Sequence, residues 1–456
     1  MTTEKSDVRA CAWWRPLNVV FVGEDQASPQ MADFRSQLRE SFREQGHSIV
    51  TTRESDIDLL IDTMVIPDGP EPLTSRMPER SQPLMLSVVK DYALARRPQN
   101  LVVLVGVKEL LGGWPHADVV STARIVMARI GAPKIVFVSG PGPSEITYCT
   151  LEGGHPSETQ EKVSGLRDRL VASACAREVG GRFDIKDDAI SQAQWNETRV
   201  PDAVVNAGRR MHALGLLPPP HRISNYVSPR MARVYERYLG LNGFSEGMLF
   251  AVDPLTSTTM VTASGSWEVD KRALRRDEVT PVAGTIDGRV QVQAPHGVRP
   301  KGPSVEAAEV LALLEAAPRV QLMRNDAKGW ELNANGAFDV PIIRAGIHVH
   351  VGVSFADDAI IETIEPDRKM FPYGFGCGTD LMCEVARHTV ERSSAINDPT
   401  DPRLYVRWPM LYHGEMVIEL WKAGMRSVEF DGLLDLFGDN ASGPIRFSPD
   451  HVDQPR

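Results

Sequence analysis

The chain has 456 residues, of which 42% are hydrophobic and 24% charged, a composition typical of a globular protein. This length exceeds what one ordinary hydrophobic core supports and therefore predicts two domains. The formal net charge of −10 disfavours nucleic acid and acidic membrane surfaces as main partners. We therefore expect a small-molecule substrate.

The five cysteines, at positions 11, 149, 175, 377 and 383, are odd in number and show no paired spacing. They indicate neither a disulfide framework nor a thiolate zinc site, which fits a reducing cytoplasm. The first residues lack the apolar core of a signal peptide, and the sequence contains no apolar run of about 18 residues. We therefore expect a cytoplasmic location and no membrane partner.

The first half of the chain alternates predicted strands and helices. Apolar runs predict strands, and apolar residues at helical spacing predict helices. The predicted strands cover residues 17–23, 57–66, 101–107 and 134–139, and the predicted helices cover 31–46, 119–130 and 163–180. This alternation predicts an α/β fold whose N-terminal domain, residues 1–215, is a doubly wound parallel sheet of the Rossmann or flavodoxin-like kind.

A glycine-rich turn at residues 139–144 follows the last of these strands. Such a turn is either a plain connection or a ligand-binding turn at a strand end. Its two prolines remove backbone donors, which favours the plain connection. The sequence has no Walker-type lysine motif, so we do not expect a P-loop nucleotidase.

Consecutive prolines at residues 218–220 predict a domain boundary, because they continue neither a helix nor a central strand. The second domain is predicted over residues 222–440, followed by an irregular tail over 441–456. Its predicted strands cover 248–252, 259–263, 278–282 and 290–292, and its predicted helices cover 229–241, 304–316, 378–391 and 415–424.

The stretch 346–353 reads as a buried strand that carries two histidines. Because strand side chains alternate between faces, His348 and His350 should project the same way. A divalent metal uses two adjacent neutral imidazoles directly. The alternative is a pair of hydrogen-bonded histidines in a polar cleft.

A predicted helix start at Ser304 and Glu306 offers a second group of polar residues. A serine there can cap exposed N–H groups, and those donors also suit a phosphate or carboxylate ligand. Glu306 would then lie in the first turn, where the helix dipole stabilises its charge. An ordinary cap is the alternative interpretation.

Several short motifs follow one another in the second half of the chain, at residues 262–265, 287–290, 303–306, 348–350, 372–381 and 413–414. Their order resembles the class II aldolase/adducin family. In that family the corresponding motifs are a Thr-Pro-Ser-Gly-like turn, an Asp-Gly-Arg hairpin, a Pro-Ser-Ser-Glu helix start, a His-x-His strand, a Pro-Tyr…Gly-Thr…Leu helix and an Asn-His-Gly turn. The resemblance covers about residues 225–435 and implies a class II aldolase-like α/β/α domain.

The resemblance also implies functional roles. His348, His350 and His413 would bind a divalent metal, which could be zinc, iron or manganese. Glu306 and Tyr373 would be catalytic, with Glu306 as the acid/base. Ser264, Gly265 and Ser304 would bind the substrate. A lyase-type enzyme is thus expected (aldolase, epimerase, dehydratase or decarboxylase), acting on a small hydroxy-carbonyl or carboxylate metabolite and assembling as a homo-oligomer.

Three alternatives remain open from the sequence. A non-heme iron oxygenase could use the same fold and metal site. A register that places residues 320–326 on the paired-histidine strand would instead give a metal-free scaffold or binding protein. A sugar isomerase with a doubly wound first domain is the third, although its metal-binding glutamates are not evident in the sequence.

Overall fold

A computed structural model describes most of the chain and divides it into two compact units. The described residues are 8–23, 28–51, 57–80, 84, 100–150, 154–157, 159–216, 221–239, 243–244, 247–264, 274–325, 329–350, 360–410, 414–422 and 430–437. The first unit comprises Met1–Arg177, His221–Phe244 and Asp367–Gly376, and the second comprises Glu178–Pro220, Ser245–Pro366 and Cys377–Arg456.

The described strands and helices are numbered in chain order. The strands are β1 Asn18–Phe21, β2 Ser48–Ile49, β3 Leu59–Val65, β4 Leu101–Val107, β5 Lys134–Ser139, β6 Glu145–Thr150, β7 Gly154–Ser157, β8 Phe183–Ile190, β9 His221–Arg222, β10 Gly243–Phe244, β11 Met248–Asp253, β12 Thr258–Thr262, β13 Val279–Ile286, β14 Arg289–Pro295, β15 Arg319–Asn325, β16 Gly329–Leu332, β17 Phe338–Pro341, β18 Ile343–Val349, β19 Ile361–Thr363, β20 Tyr405–Pro409 and β21 Glu415–Leu420. The helices are α1 Pro29–Glu44, α2 Leu73–Arg76, α3 His116–Ile130, α4 Thr159–Cys175, α5 Gln192–Glu197, α6 Val200–Ala213, α7 Pro229–Leu239, α8 Ala307–Ala316, α9 Asp380–Arg392, α10 Ser394–Asn397 and α11 Asp431–Asp435.

The first unit is built on a seven-stranded sheet with the order β2-β1-β3-β4-β5-β6-β7. Its first five strands run parallel, whereas β6 and β7 are antiparallel to their neighbours. The order 2-1-3-4-5 of the parallel strands is the one found in flavodoxin-like doubly wound sheets. The α/β class expected from the alternating pattern is therefore confirmed.

Both faces of this sheet are covered, which explains why its strands read as continuous apolar runs. Val19 and Val102 belong to one buried cluster with side chains of α1 and α4. Val20 and Val103, one residue further along each strand, belong to another cluster with side chains of α3. Successive residues thus face opposite layers, as strand geometry requires.

The glycine-rich turn at 139–144 joins the antiparallel strands β5 and β6. The Ser144 N–H and hydroxyl both donate to the Ser139 carbonyl, and the Ser139 hydroxyl donates to Glu145. The turn therefore satisfies its own polar groups as a hairpin connection, the plainer of the two interpretations.

The second unit is built on a nine-stranded sheet with the order β19-β20-β21-β18-β11-β12-β13-β14-β8. The neighbouring strands from β20 to β14 are antiparallel, and the outermost pairs β19–β20 and β14–β8 are parallel. Helix α6 packs against β11, β12 and β13. Ile347 and Val349 of β18 share a buried cluster with α6, so His348 faces the opposite side of the sheet.

The segment that precedes the paired-histidine strand forms a separate sheet of its own. Strand β15 pairs with β16 and β17 in an antiparallel three-stranded sheet, while β18 lies in the nine-stranded sheet. The register that placed residues 320–326 on the paired-histidine strand is therefore wrong.

Two other expectations differ from the structure. The predicted helix 415–424 is wrong, because residues 415–420 form β21, buried on both faces between β18 and β20. The boundary expected near residues 216–221 differs from the observed division, because β8 and α6 pack with the second unit and α7 lies in the first. The predicted tail 441–456 lies outside the described residues.

None of the helices that the structure describes is both long and apolar enough to cross a membrane.

Candidate metal centre

His348 lies near the end of β18, in the middle of the nine-stranded sheet. Its backbone pairs with Met248 of β11 on one side and with Met416 of β21 on the other. The residue is completely buried. Its Nδ1 lies 3.1 Å from the carbonyl oxygen of Glu415, the first residue of β21. The sheet thus fixes both the backbone and the ring of this histidine.

The contact with Glu415 determines which ring nitrogen of His348 is available. Because a carbonyl oxygen only accepts hydrogen bonds, Nδ1 must carry the proton. In the neutral ring, Nε2 then carries the lone pair and faces Nε2 of His350. This is the arrangement found when a histidine binds a metal and its other nitrogen donates to the backbone. This tautomer is assigned from the hydrogen bond.

His350 follows the last residue of β18 and faces the same way as His348. The two ring centroids are 4.7 Å apart, and the two Nε2 atoms are 2.8 Å apart. Two imidazole nitrogens bound at about 2.0–2.1 Å to one ion lie about 2.9 Å apart at a right angle and about 3.3 Å apart at the tetrahedral angle that zinc prefers. The observed separation is that of a direct hydrogen bond, and it is within about 0.5 Å of what a shared ion requires.

Glu306 reaches the histidines from a different part of the sequence. The residues before it are held against the end of β12, where the Ser304 N–H donates to the Thr262 carbonyl and Ala263 bridges to Pro303. Strands β12 and β18 flank β11 and are both antiparallel to it, so their carboxyl ends lie at the same edge of the sheet. This topology brings the start of α8 to the histidine pair.

Glu306, His348 and His350 together form a group that could hold a metal ion. One ligand atom from each residue lies within 4.8 Å of the others, and Glu306 is buried together with His348. A carboxylate and two imidazoles are a common donor set for divalent transition metals. At this range Glu306 is placed either to bind an ion or to move a proton beside it.

Ser304 contacts Glu306 directly but does not cap the helix. Glu306, at the N-cap position of α8, makes no side-chain capping hydrogen bond, and the helix begins at Ala307. The Ser304 hydroxyl instead donates to Oε2 of Glu306. The expected serine cap and first-turn position of Glu306 are therefore wrong, because the hydroxyl is used by the carboxylate two residues later.

The other predicted site residues have different outcomes. The Ser264 N–H donates to the Gly302 carbonyl, which places Ser264 beside the segment that leads to Glu306. Tyr373 belongs to the first unit, where the Arg169 guanidinium lies 6.0 Å from its ring centroid. Gly265 and His413 lie outside the described residues. The roles of all four stay predictions.

Gly414, the residue after His413, lies directly against the paired-histidine segment. A Cβ at this position would be 2.1 Å from the Val349 carbonyl oxygen and 2.7 Å from the His350 Cα. Only glycine allows this close approach of the two backbones. Gly414, which follows His413 in the sequence, is thus adjacent to His350.

Sequence reasoning missed the groups that hold these residues in place. The carbonyl of Glu415 orients His348, but a backbone contact leaves no signal in residue types. Gly180 and Gly378 pack against the carbonyl of Val305, next to Glu306. In the sequence, this close packing could have been suspected from the glycines, which occur as a doublet at 180–181 and at 374, 376 and 378.

Comparisons with known proteins gave no relative for this chain: no protein-family model, no curated protein and no solved structure matches it. The interpretation of the site therefore depends on the geometry of Glu306, His348 and His350 and on the order of the motifs in the sequence.

Proposed function

We propose that this chain is a metal-dependent enzyme of the lyase type that acts on a small hydroxy-carbonyl or carboxylate metabolite. His348 and His350 bind a divalent metal, and Glu306 is the acid/base carboxylate. The observation that carries the proposal is the convergence of this buried carboxylate with two imidazoles from a separate segment. The lyase class is supported by the order of the motifs, which resembles the class II aldolase/adducin family.

The chemistry follows from the donor set. A divalent metal held by His348 and His350 would supply Lewis-acid chemistry towards a carbonyl oxygen of the substrate. Glu306 accepts the proton of the substrate hydroxyl as the adjacent carbon–carbon bond breaks, and returns it to the departing carbon. The lone pair of His348 stays on Nε2, because the Glu415 carbonyl accepts the hydrogen bond from Nδ1–H. Burial of Glu306 and His348 keeps bulk water from this side of the site.

Metal analysis of the purified full-length chain tests the metal site. We expect about one divalent ion per chain, and a loss of on the order of 100-fold in metal affinity for His348→Ala. His296→Ala is the matched control, because this histidine is exposed and paired with Asp188. A chain that binds no metal after loading with zinc, iron or manganese, or a His348→Ala variant that binds like the wild type, contradicts the proposal.

Glu306→Gln separates the two roles of the carboxylate. If Glu306 moves a proton, the variant keeps its metal and loses turnover of hydroxy-carbonyl substrates, measured by nuclear magnetic resonance of a substrate panel. If Glu306 is itself a ligand, metal affinity falls as well. His413→Ala, tested in the same titration, determines whether the third predicted histidine belongs to the site.

A second candidate is a non-heme iron oxygenase. It is favoured by one observation, the two-histidine, one-carboxylate composition of the group, which is the donor set of the facial triad in iron(II) oxygenases. Activity under strict exclusion of oxygen distinguishes the two candidates: the lyase remains active, whereas the oxygenase stops and consumes oxygen when it is readmitted.

Three further proposals come with the resemblance and the composition. The second unit is proposed to be class II aldolase-like in arrangement, the chain to assemble as a homo-oligomer, and the protein to act in the cytoplasm. Sedimentation of the purified chain tests the assembly, and fractionation of cells that produce the protein tests the location.

A further inference from the structure

The position of the Glu306 side chain depends on the peptide that precedes it. Val305 and Glu306 lie between a segment tied to β12 and the first turn of α8. The backbone of Glu306 is helical, with φ −70° and ψ −7°. A displacement of the Val305 carbonyl therefore moves the Cα of Glu306 and, with it, the carboxylate.

Two glycines pack against the Val305 carbonyl oxygen. A Cβ on Gly180 would lie 1.7 Å from this oxygen, and a Cβ on Gly378 would lie 2.6 Å from it. Both distances are below the 3.0 Å that real Cβ contacts respect. We call Gly180 and Gly378 the glycine clamp.

Hydrogen bonds join the two halves of the clamp. The N–H groups of Val179 and Gly180 both donate to the Gly378 carbonyl, at 2.8 Å each, and Glu178 bridges to Thr379. The Gly378 N–H donates to Oε1 of Glu309, one turn along α8, at 2.6 Å. Hydrogen bonds thus join the two glycines of the clamp to each other and to helix α8, which Glu306 immediately precedes.

The opposite side of the same peptide is fixed by the sheet. The Ser304 N–H donates to the Thr262 carbonyl at 3.0 Å, and the Ser264 N–H donates to the Gly302 carbonyl at 2.9 Å. The segment that carries Val305 is therefore held between the end of β12 and the glycine clamp. Strand β12 belongs to the sheet that also carries His348, so the position of Glu306 relative to the histidines depends on both contacts.

We propose that Gly180 and Gly378 are positioning residues that set the distance between Glu306 and the histidine pair. The inference rests on the proposed metal site and goes beyond it, since neither glycine is itself a candidate ligand. A methyl group on Gly180 must displace the Val305 carbonyl by about 1.3 Å to reach an allowed contact. Functional groups need placement within about 0.5 Å, so this displacement removes Glu306 from its working position.

The test is a titration of the full-length chain with cobalt(II), whose visible absorption reports the geometry of its ligands. We expect Gly180→Ala to weaken cobalt binding by on the order of 10–100-fold and to change the absorption spectrum of the bound ion. Thermal unfolding of the metal-free variant shows whether the fold is retained.

Gly181→Ala is the matched control. A Cβ on Gly181 would meet only the carboxylate end of the Glu178 side chain, which can swing aside. We expect this neighbouring variant to bind cobalt within about twofold of the wild type. If Gly180→Ala does not fold, Gly378→Ala serves in its place, because its methyl group needs a shift of only about 0.4 Å from the same oxygen. The left-handed backbone of Gly378, with φ +66°, adds strain of its own, so the thermal unfolding of this variant is measured as well. A weaker change of the same kind is expected there.

Three outcomes decide the matter. Weakened binding with an altered spectrum in Gly180→Ala or Gly378→Ala, but not in Gly181→Ala, supports the inference. A wild-type chain that binds cobalt, together with folded clamp variants that bind it with the same affinity and spectrum, overturns the positioning role and leaves the metal site standing. A wild-type chain that binds neither cobalt nor zinc overturns the proposed function, and the positioning role with it.

Discussion

The Ser304 hydroxyl, two residues before Glu306, donates a hydrogen bond to the Glu306 carboxylate. Hydrogen bonds to a metal-binding or proton-moving carboxylate orient it, and their loss commonly weakens metal affinity by on the order of 10-fold or more. We expect Ser304→Ala to show such a loss in a titration against a competing chelator. Ser304→Thr keeps the hydroxyl and should retain most of the metal affinity. If Ser304→Ala binds metal as tightly as the wild type, the proposed role of this hydrogen bond is contradicted.

A second residue, His47 in the first unit, is locked as a neutral ring. The Leu17 N–H donates to Nδ1 at 3.1 Å, so Nδ1 is an acceptor, and Nε2 lies 3.0 Å from the Gln45 side-chain oxygen, to which it donates. Burial, followed by the positive charge of Arg167, lowers the pKa of His47 from 6.5 to about 4. A proton on Nδ1 would break the bond from Leu17.

This lowered pKa predicts how the stability of the protein depends on pH. Between pH 6.5 and about 4, the unfolded chain binds a proton at His47 that the folded chain does not, so stability falls as the pH falls through this window. The loss amounts to at most about 3.5 kcal/mol and approaches this limit below pH 4. Urea unfolding of the full chain at several pH values measures it.

The control for this pH dependence is His47→Asn, whose side-chain oxygen offers an acceptor near the position of Nδ1 but does not titrate in this range. We expect the variant to be less stable at pH 7 and to lose less stability than the wild type between pH 6.5 and 4. A pH dependence identical to that of the wild type would show that other groups cause it.

At the scale of elements, the sequence predicted what local periodicity determines. Alternation along β18 correctly indicated that His348 and His350 face the same way, and apolar runs predicted four of the five parallel strands of the first unit. The segment 415–420 was misassigned as a helix, because a short run that is buried on both faces has no clear period. Likewise, the position of Glu306 next to the histidines depends on the pairing of β12, β11 and β18, which no local pattern encodes.

The three-stranded sheet of residues 319–341 is an element that the site should not need. Its first and last strands pair at Arg319 and Pro341, and the Ile342 N–H donates to the Pro318 carbonyl, so the two ends of this segment lie together. We expect replacement of residues 320–340 by an Asn-Gly turn, which suits a hairpin, to leave metal affinity within a few-fold of the wild type. A loss of metal binding in a variant that still unfolds cooperatively would show that this segment supports the site.

At the scale of the whole molecule, the division of the chain follows long-range pairing. Strand β8 contains four charged residues, Asp184, Lys186, Asp187 and Asp188, a pattern that does not predict a strand. It is an edge strand of the nine-stranded sheet, where charged side chains are common. Its parallel partner β14 lies about 100 residues further along the chain. A pairing over this distance was beyond sequence reasoning, so the proline-rich segment was chosen as the boundary.

The observed division predicts that the second unit cannot be cut out at the proline-rich segment. A fragment of residues 221–456 lacks β8 and also α6, whose Val204 and Met211 are completely buried in the cluster beneath β11 and β18. Each such side chain contributes about 1.5–3 kcal/mol, so losing the several in α6 removes an amount comparable to the whole stability of a domain, about 5–15 kcal/mol. We expect this fragment to show no cooperative thermal unfolding and no metal binding, whereas a fragment of residues 178–456 should regain both. Cooperative unfolding of the shorter fragment, measured by near-ultraviolet circular dichroism, would contradict the assignment of β8 and α6 to the second unit.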